Sequence, residues 1–282
     1  MPRMPALFIG HGSPMNTLES NGFTRAWRLL GQKLPRPRAI LAVSAHWYIG
    51  ASAVTAMSKP RTIHDFYGFP QPLFDFEYPA MGSPEVADAV VDALKPDWVG
   101  LDHDEWGLDH GTWSVLAHLF PDADVPVVQL AINALQPFEY HVRLGTRLAA
   151  LADQGILVVS SGNVVHNLRL VQWNRPNEGA DWAHRFDEAV MRQMNEDPSS
   201  IVKVAEHPDF AMAVPTPDHF MPLLYTAGIA SVIGRVQPLI HGYTLGSLSM
   251  TCYNAGPDLE VPFEVNSATD LPTNVPPDQT NT

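Results

Sequence analysis

Three histidines follow apolar runs that read as buried strands. Ala6–Gly10 (ALFIG) runs into His11-Gly12-Ser13-Pro14, and Ala39–Ser44 (AILAVS) into Ala45-His46-Trp47. Ile156–Ser161 (ILVVSS) leads through Gly162-Asn163-Val164-Val165 to His166. Nothing about stability requires an imidazole after each of three distant strands. In open α/β sheets ligands bind beyond the carboxyl ends of the strands, so these side chains are expected near one edge of a sheet. Imidazole is the commonest metal-binding side chain and a frequent general acid or base. Two further candidates stand in unusual settings. His219 lies in the proline-stiffened segment Pro215-Thr216-Pro217-Asp218-His219-Phe220-Met221-Pro222, and His110 lies in Leu108-Asp109-His110-Gly111-Thr112-Trp113, just before a predicted helix. His64, His103, His118, His141, His184, His207 and His241 read as surface or hydrogen-bonded residues. No compact motif such as HExxH sets a ligand set from spacing alone.

Other chemistries lack their patterns. Ser13 follows His11-Gly12, but there is no GxSxG elbow, no phosphate-cradling P-loop and no GxGxxG after a strand. The single cysteine, Cys252, sits in a late strand pattern and reads as core; alone it allows no intramolecular disulfide, which fits a cytoplasmic protein.

The elements that must position the histidines alternate as in α/β proteins. Helices are predicted over Phe23–Leu30, Pro84–Leu94, Thr112–Phe120, Pro137–Leu151 and Ala180–Asn195, with a short one over Pro217–Thr226. Further strands are predicted over Pro126–Ala131 and near Gly246–Tyr253. The stretch Ser58–Ser83 is rich in proline and aromatics without a period, the mark of a functional or mobile loop. Its Thr62–Pro70 part, with His64, Asp65, Phe66, Tyr67 and Phe69, is either a substrate lid or a loop packed onto the body by its aromatics. No repeat or linker divides the chain. A single domain over 1–265 is expected, followed by a polar, proline-rich and loosely ordered tail over 266–282.

Composition narrows the function. The chain has 282 residues, 45% hydrophobic and 17% charged, enough for a large folded core. Acidic residues outnumber basic ones 30 to 17, a formal charge of −13, which disfavours nucleic acid and anionic membranes as partners. The first residues carry no apolar signal-peptide region and no stretch has the length of a membrane span.

Seven segments together resemble the class III extradiol dioxygenases, in the DOPA 4,5-dioxygenase-like branch of the protocatechuate 4,5-dioxygenase superfamily. They are GHGSPMNTLE from Gly10, SAHW from Ser44, TIHDFYGFP from Thr62, DHGTWSVL from Asp109, SGNVVHNL from Ser161, PDHFMPLLY from Pro217 and GSLSM from Gly246. They occur in the family's order and span the chain up to about Tyr253. The resemblance implies an α/β three-layer sandwich around a mixed central sheet. It implies that His11, His46 and His219 are metal ligands, with histidine at the third position where the wider superfamily has glutamate. His166 would be the acid/base and also close enough to count as a fourth ligand. His110 would be a second catalytic histidine, with Asp109 or a neighbour orienting it. The implied reaction is ring cleavage of a small catecholic, DOPA-like substrate with O2, to a muconic semialdehyde-type product, with Fe(II) for activity or Zn(II) as bound metal. A zinc-dependent hydrolase or lyase and a non-catalytic metal-binding protein stay open beside it, as does the oligomeric state.

Overall fold

The computed structural model describes residues 3–263 and 271–281. The strands are β1 (Ala6–Gly10), β2 (Ala39–Ile49), β3 (Ala53–Thr55), β4 (Arg61–Thr62), β5 (Gly100–Asp102), β6 (Gly107–Leu108), β7 (Val127–Asn133), β8 (Ile156–Gly162), β9 (Gln237–Ile240), β10 (Tyr243–Thr244), β11 (Leu248–Ser249) and β12 (Cys252–Ala255). The helices are α1 (Gly22–Lys33), α2 (Gln71–Phe74), α3 (Pro84–Leu94), α4 (His110–Leu119), α5 (Phe138–Leu148), α6 (Asp181–Glu196), α7 (Phe210–Ala213) and α8 (Met221–Ile233).

Eight strands form one sheet in the order β5-β3-β7-β2-β8-β1-β12-β9. Its centre, β7-β2-β8-β1, is parallel, which is why those strands read as unbroken apolar runs: both faces are covered. The β1–β12, β12–β9 and β3–β7 pairings are antiparallel, so the sheet is mixed. Alternate residues of one strand serve opposite layers. Phe8 and Leu41 pack with Val90 of α3, Leu144 of α5, Phe186 of α6 and Leu224 of α8. Leu7, Ile9 and Ile40 pack with Trp27 of α1 and Trp113 of α4. The result is the three-layer α/β arrangement.

Local chemistry sets where helices begin. Asn21 and Thr24 close a reciprocal capping box on α1, Ser83 caps α3 ahead of Pro84, and the Asp109 carboxylate accepts from the Thr112 N–H at the start of α4. Cys252 is buried, as expected of a core residue. The helix expected over Pro217–Thr226 starts later, at Met221, and runs to Ile233. Among the described residues no helix is long and apolar enough to cross a membrane.

Part of the expected tail, up to residue 270, and residue 282 lie outside the described residues. Residues 271–281 pack onto the body instead of standing off it: Leu271 and Thr280 are buried, and Tyr67 N–H donates to Thr280 O at 3.0 Å.

One buried histidine far from the sheet's histidine edge makes stability pH-dependent. His141 of α5 is buried, with Nδ1 2.9 Å from Tyr225 Oη, and burial pushes its pKa down to about 4. It is therefore neutral in the fold but takes up a proton in the unfolded chain below roughly pH 6.5. Its contribution to stability is fully present above that pH and is lost as pH falls toward 4, about 2 kcal/mol by pH 5. Urea unfolding of the metal-free protein at pH 7 and pH 5 checks this. In His141→Gln the drop between the two pH values should be smaller by about 2 kcal/mol; an equal drop in both proteins would refute the assignment.

Candidate metal centre

Five histidines from five places in the chain meet at the carboxyl ends of the parallel strands. His11 follows β1 directly; its N–H donates to Gly162 O at 3.1 Å and its carbonyl accepts from Asn16 Nδ2 at 2.8 Å. His46 lies inside β2 and not after it, because β2 continues to Ile49. However, β2 pairs with β8 only as far as Ser44↔Ser161, and its register against β7 shifts between Val43 and Tyr48. His46 thus stands on an overhang beyond the neighbouring strand. His110 is the first residue of α4. His166 is held by its N–H to Ala213 O at 2.9 Å and by a bridge to Leu248. His219 precedes α8, and its carbonyl accepts from Asn163 N–H at 2.9 Å.

Two glycines let these segments meet. A Cβ on Gly162 would stand 2.2 Å from His219 O, and one on Gly111 would stand 2.5 Å from Ser44 Oγ and 2.8 Å from His46 Cδ2. Ring centroids are 5.2 Å apart for His11–His46, 5.3 Å for His11–His219, 4.9 Å for His46–His219 and 3.8 Å for His46–His110. Donor atoms of His11, His46 and His110 all lie within 4.8 Å of one another.

The outer nitrogen of each of four rings faces an oxygen. His11 Nδ1 is 2.9 Å from Ser161 Oγ, whose own hydrogen goes to Gly111 O at 2.5 Å. Ser161 is therefore the acceptor, the proton is on His11 Nδ1, and Nε2 carries the lone pair. The Asp65 carboxylate lies 3.3 Å from His46 Nδ1 and 3.0 Å from His110 Nδ1. Asp218 Oδ2 is 2.5 Å from His219 Nδ1. A carboxylate or hydroxyl behind an imidazole is the usual support of a metal-binding histidine.

The inner nitrogens follow from this. His46 Nε2 and His11 Nε2 are 3.2 Å apart, each left with its lone pair facing the other. His219 Nε2 and both ring nitrogens of His110 are buried with no hydrogen-bond partner, although His110 Nδ1 lies 3.0 Å from the Asp65 carboxylate. Burial first, and the neighbouring imidazoles next, hold His11 and His46 well below the usual histidine range, so they are neutral, the form that binds metal. Neutral, converging lone pairs without protons between them fit a divalent cation. His166 stands differently: its ring lies parallel to that of His219, at 1° and 3.6 Å between centroids.

Asp65 comes from the aromatic-rich loop Thr62–Pro70, where nothing in the sequence marks it as a partner of histidines. Asp109, expected as a partner of His110, instead caps α4 and pairs with Gln129, and burial followed by the charge of Asp65 pushes its pKa up to about 6. The loop aromatics divide: Phe66 and Phe69 are buried against the body, while Tyr67 is exposed. His64 bonds to Phe76 O at 2.9 Å, and His118 and His141 are buried and hydrogen-bonded, as residues outside the site.

Comparison with known proteins bears on this geometry. Residues 5–250 match the family described as the catalytic LigB subunit of aromatic ring-opening dioxygenase. A relative from Escherichia coli (strain K12), 4,5-DOPA dioxygenase extradiol, is 48% identical over 258 residues, covering 90% of this chain and 95% of its own. The protein of the same name from Beta vulgaris is 33% identical over 271 residues, covering 87% and 94%. The crystal structure of an uncharacterized protein of Escherichia coli K12, JW3007, superposes with a TM-score of 0.80 at 44% identity, covering 90% of this chain and all of that one.

Proposed function

This chain belongs to the LigB family of aromatic ring-opening dioxygenases and is an extradiol dioxygenase, and from that premise we propose that it opens a catechol ring at a ferrous ion held by His11, His46 and His219. The facing lone pairs of His11 and His46 at 3.2 Å carry the reading, because they leave room for a cation between two neutral imidazoles. We take His219 as the third ligand from the family resemblance, with Asp218 behind its ring and its Nε2 buried and unpartnered; His110, whose donor atoms lie within 4.8 Å of those of His11 and His46, is the competing third donor. The names of the relatives support a DOPA-like substrate as part of this reading.

A ferrous ion held by His11, His46 and His219 would supply a redox-active Lewis acid for catechol and O2, whereas zinc, which has no redox chemistry, would supply a Lewis acid alone. The chain's own residues manage the protons. His166, stacked on His219, takes a hydroxyl proton as the catechol binds and returns it as the ring opens to a muconic semialdehyde-type product. His110, buried beside His46, is the other imidazole in reach. Asp218 keeps the His219 ring in its tautomer, and the Asp65 carboxylate stands behind His46. Neutral imidazoles leave the metal its full charge, which favours the deprotonated catechol.

The test is anaerobic loading with Fe(II) or Zn(II), then admission of O2 with a panel of catechols. The Fe(II) protein should consume O2 and build a yellow ring-opened product, and the Zn(II) protein should do neither. Equal turnover with zinc and no O2 uptake would instead support a metal-bound-water hydrolase.

A further inference from the structure

The cleft beside His166 carries one charge of each sign. Its volume is about 150 Å³, and His166, Arg169, Thr216 and Asp278 line it. Arg169 Nε and Asp278 Oδ2 are 3.7 Å apart, with side chains 78% and 40% exposed. A pair this open and this long adds little to stability, so its partners are available to a ligand. Both charges nevertheless stand on fixed backbone. Asn167 Oδ1 accepts from the Arg169 N–H at 3.1 Å, while its Nδ2 donates to Met212 O at 2.8 Å. That side chain is used up and sets Arg169 three residues beyond His166. Asp278 sits in the short turn Pro277–Gln279, closed by Thr280 Oγ1 donating to Pro277 O at 2.7 Å. This turn is tied to the loop that carries Asp65, whose carboxylate faces His46 and His110: Tyr67 N–H donates to Thr280 O at 3.0 Å, and Asn281 Nδ2 donates to Asp65 O.

We infer that this cleft receives the polar end of the substrate and that Arg169 and Asp278 read it as a zwitterion. The guanidinium takes a carboxylate and the Asp278 carboxylate takes an ammonium, as on the head of an α-amino acid whose side chain carries the ring. The inference rests on the ring-cleavage reading for its orientation: with the hydroxyls at the imidazole cluster, a chain leaving the ring past His166 enters the cleft. Charge decides between head groups. A lone carboxylate on Arg169 would face Asp278 at close range, within a chain of formal charge −13 that repels anions at a distance. A lone ammonium on Asp278 would face Arg169. Only a group bearing both charges satisfies both residues, with charge-assisted bonds in place of a weak pair.

Three catechols that share a ring test this: the amino acid, the acid lacking the ammonium, and the amine lacking the carboxylate. Each is measured as kcat/KM with the Fe(II) enzyme and as Kd by anaerobic calorimetry, for wild type, Arg169→Gln and Asp278→Asn. Both positions are exposed enough for the variants to fold. Wild type should favour the amino acid over either analogue by about 10-fold, the scale of one hydrogen bond to a charged group. Arg169→Gln should weaken the amino acid and the acid by about that factor and leave the amine unweakened; Asp278→Asn should weaken the amino acid and the amine and leave the acid unweakened. No effect of either substitution, or an equal loss on all three ligands, overturns the inference. If no catechol is turned over, ring cleavage itself fails, and the Kd series still decides whether the cleft reads a zwitterion.

Discussion

Replacing His46 by alanine is expected to leave the protein without stoichiometric metal and without activity. His46 Nε2 and His11 Nε2 form the closest pair of inward lone pairs, and removing either takes away a direct donor. His11→Ala should behave alike. Asp65→Asn gives the graded comparison. Asp65 stands behind both His46 and His110, and loss of such a supporting carboxylate typically costs 10–100-fold in affinity or activity. Elemental analysis after dialysis, with competition titration for the weaker binders, should rank wild type above Asp65→Asn and Asp65→Asn above the two alanine variants. Full metal content in both alanine variants would place the ion elsewhere.

Replacing His166 by alanine should slow the chemistry far more than it loosens the metal. His166 is stacked on His219 with the rings parallel, at 1° and 3.6 Å between centroids, which supports a role in proton transfer more than one as a principal ligand. Its backbone is pinned to Ala213 and Leu248, which aims the ring and holds it there. A well-placed proton-transfer group contributes roughly 10²- to 10⁴-fold in rate. The single-turnover rate of Fe(II)-saturated His166→Ala should drop by that order, with a modest loss of Fe(II) affinity. A variant that loses metal yet turns over normally once saturated makes His166 a ligand only, and proton transfer then passes to His110.

The sequence made the parallel core legible because strands buried on both faces are unbroken apolar runs. β1 has the bounds read from ALFIG, and β8 exceeds its reading only by Gly162. β2 was harder. Its apolar run stops at Ser44, while its pairing with β7 resumes at Tyr48↔Ile132, so His46 reads as following a strand that in fact contains it. The five candidate histidines do come together, but their supports were only partly visible. Asp218 neighbours its histidine in the chain. Asp65 reaches His46 and His110 only through the fold, from a loop whose sequence has no period. Asp109, next to His110, obeys the local rule for a helix start; its Asp-x-x-Thr spacing was the available sign that it would cap α4. The end of the chain is polar on average, and that average hides Leu271 and Val275, which pack against the body and Gly68.

The most direct measurement is anomalous scattering at the iron edge from crystals loaded with Fe(II) under anaerobic conditions. One peak is expected, about 2.0–2.1 Å (the range of zinc–imidazole bonds) from Nε2 of His11, His46 and His219, with His166 beyond bonding distance once a catechol is bound. A peak outside this cluster, or none in a protein that still consumes O2 with a catechol, would contradict the assignment.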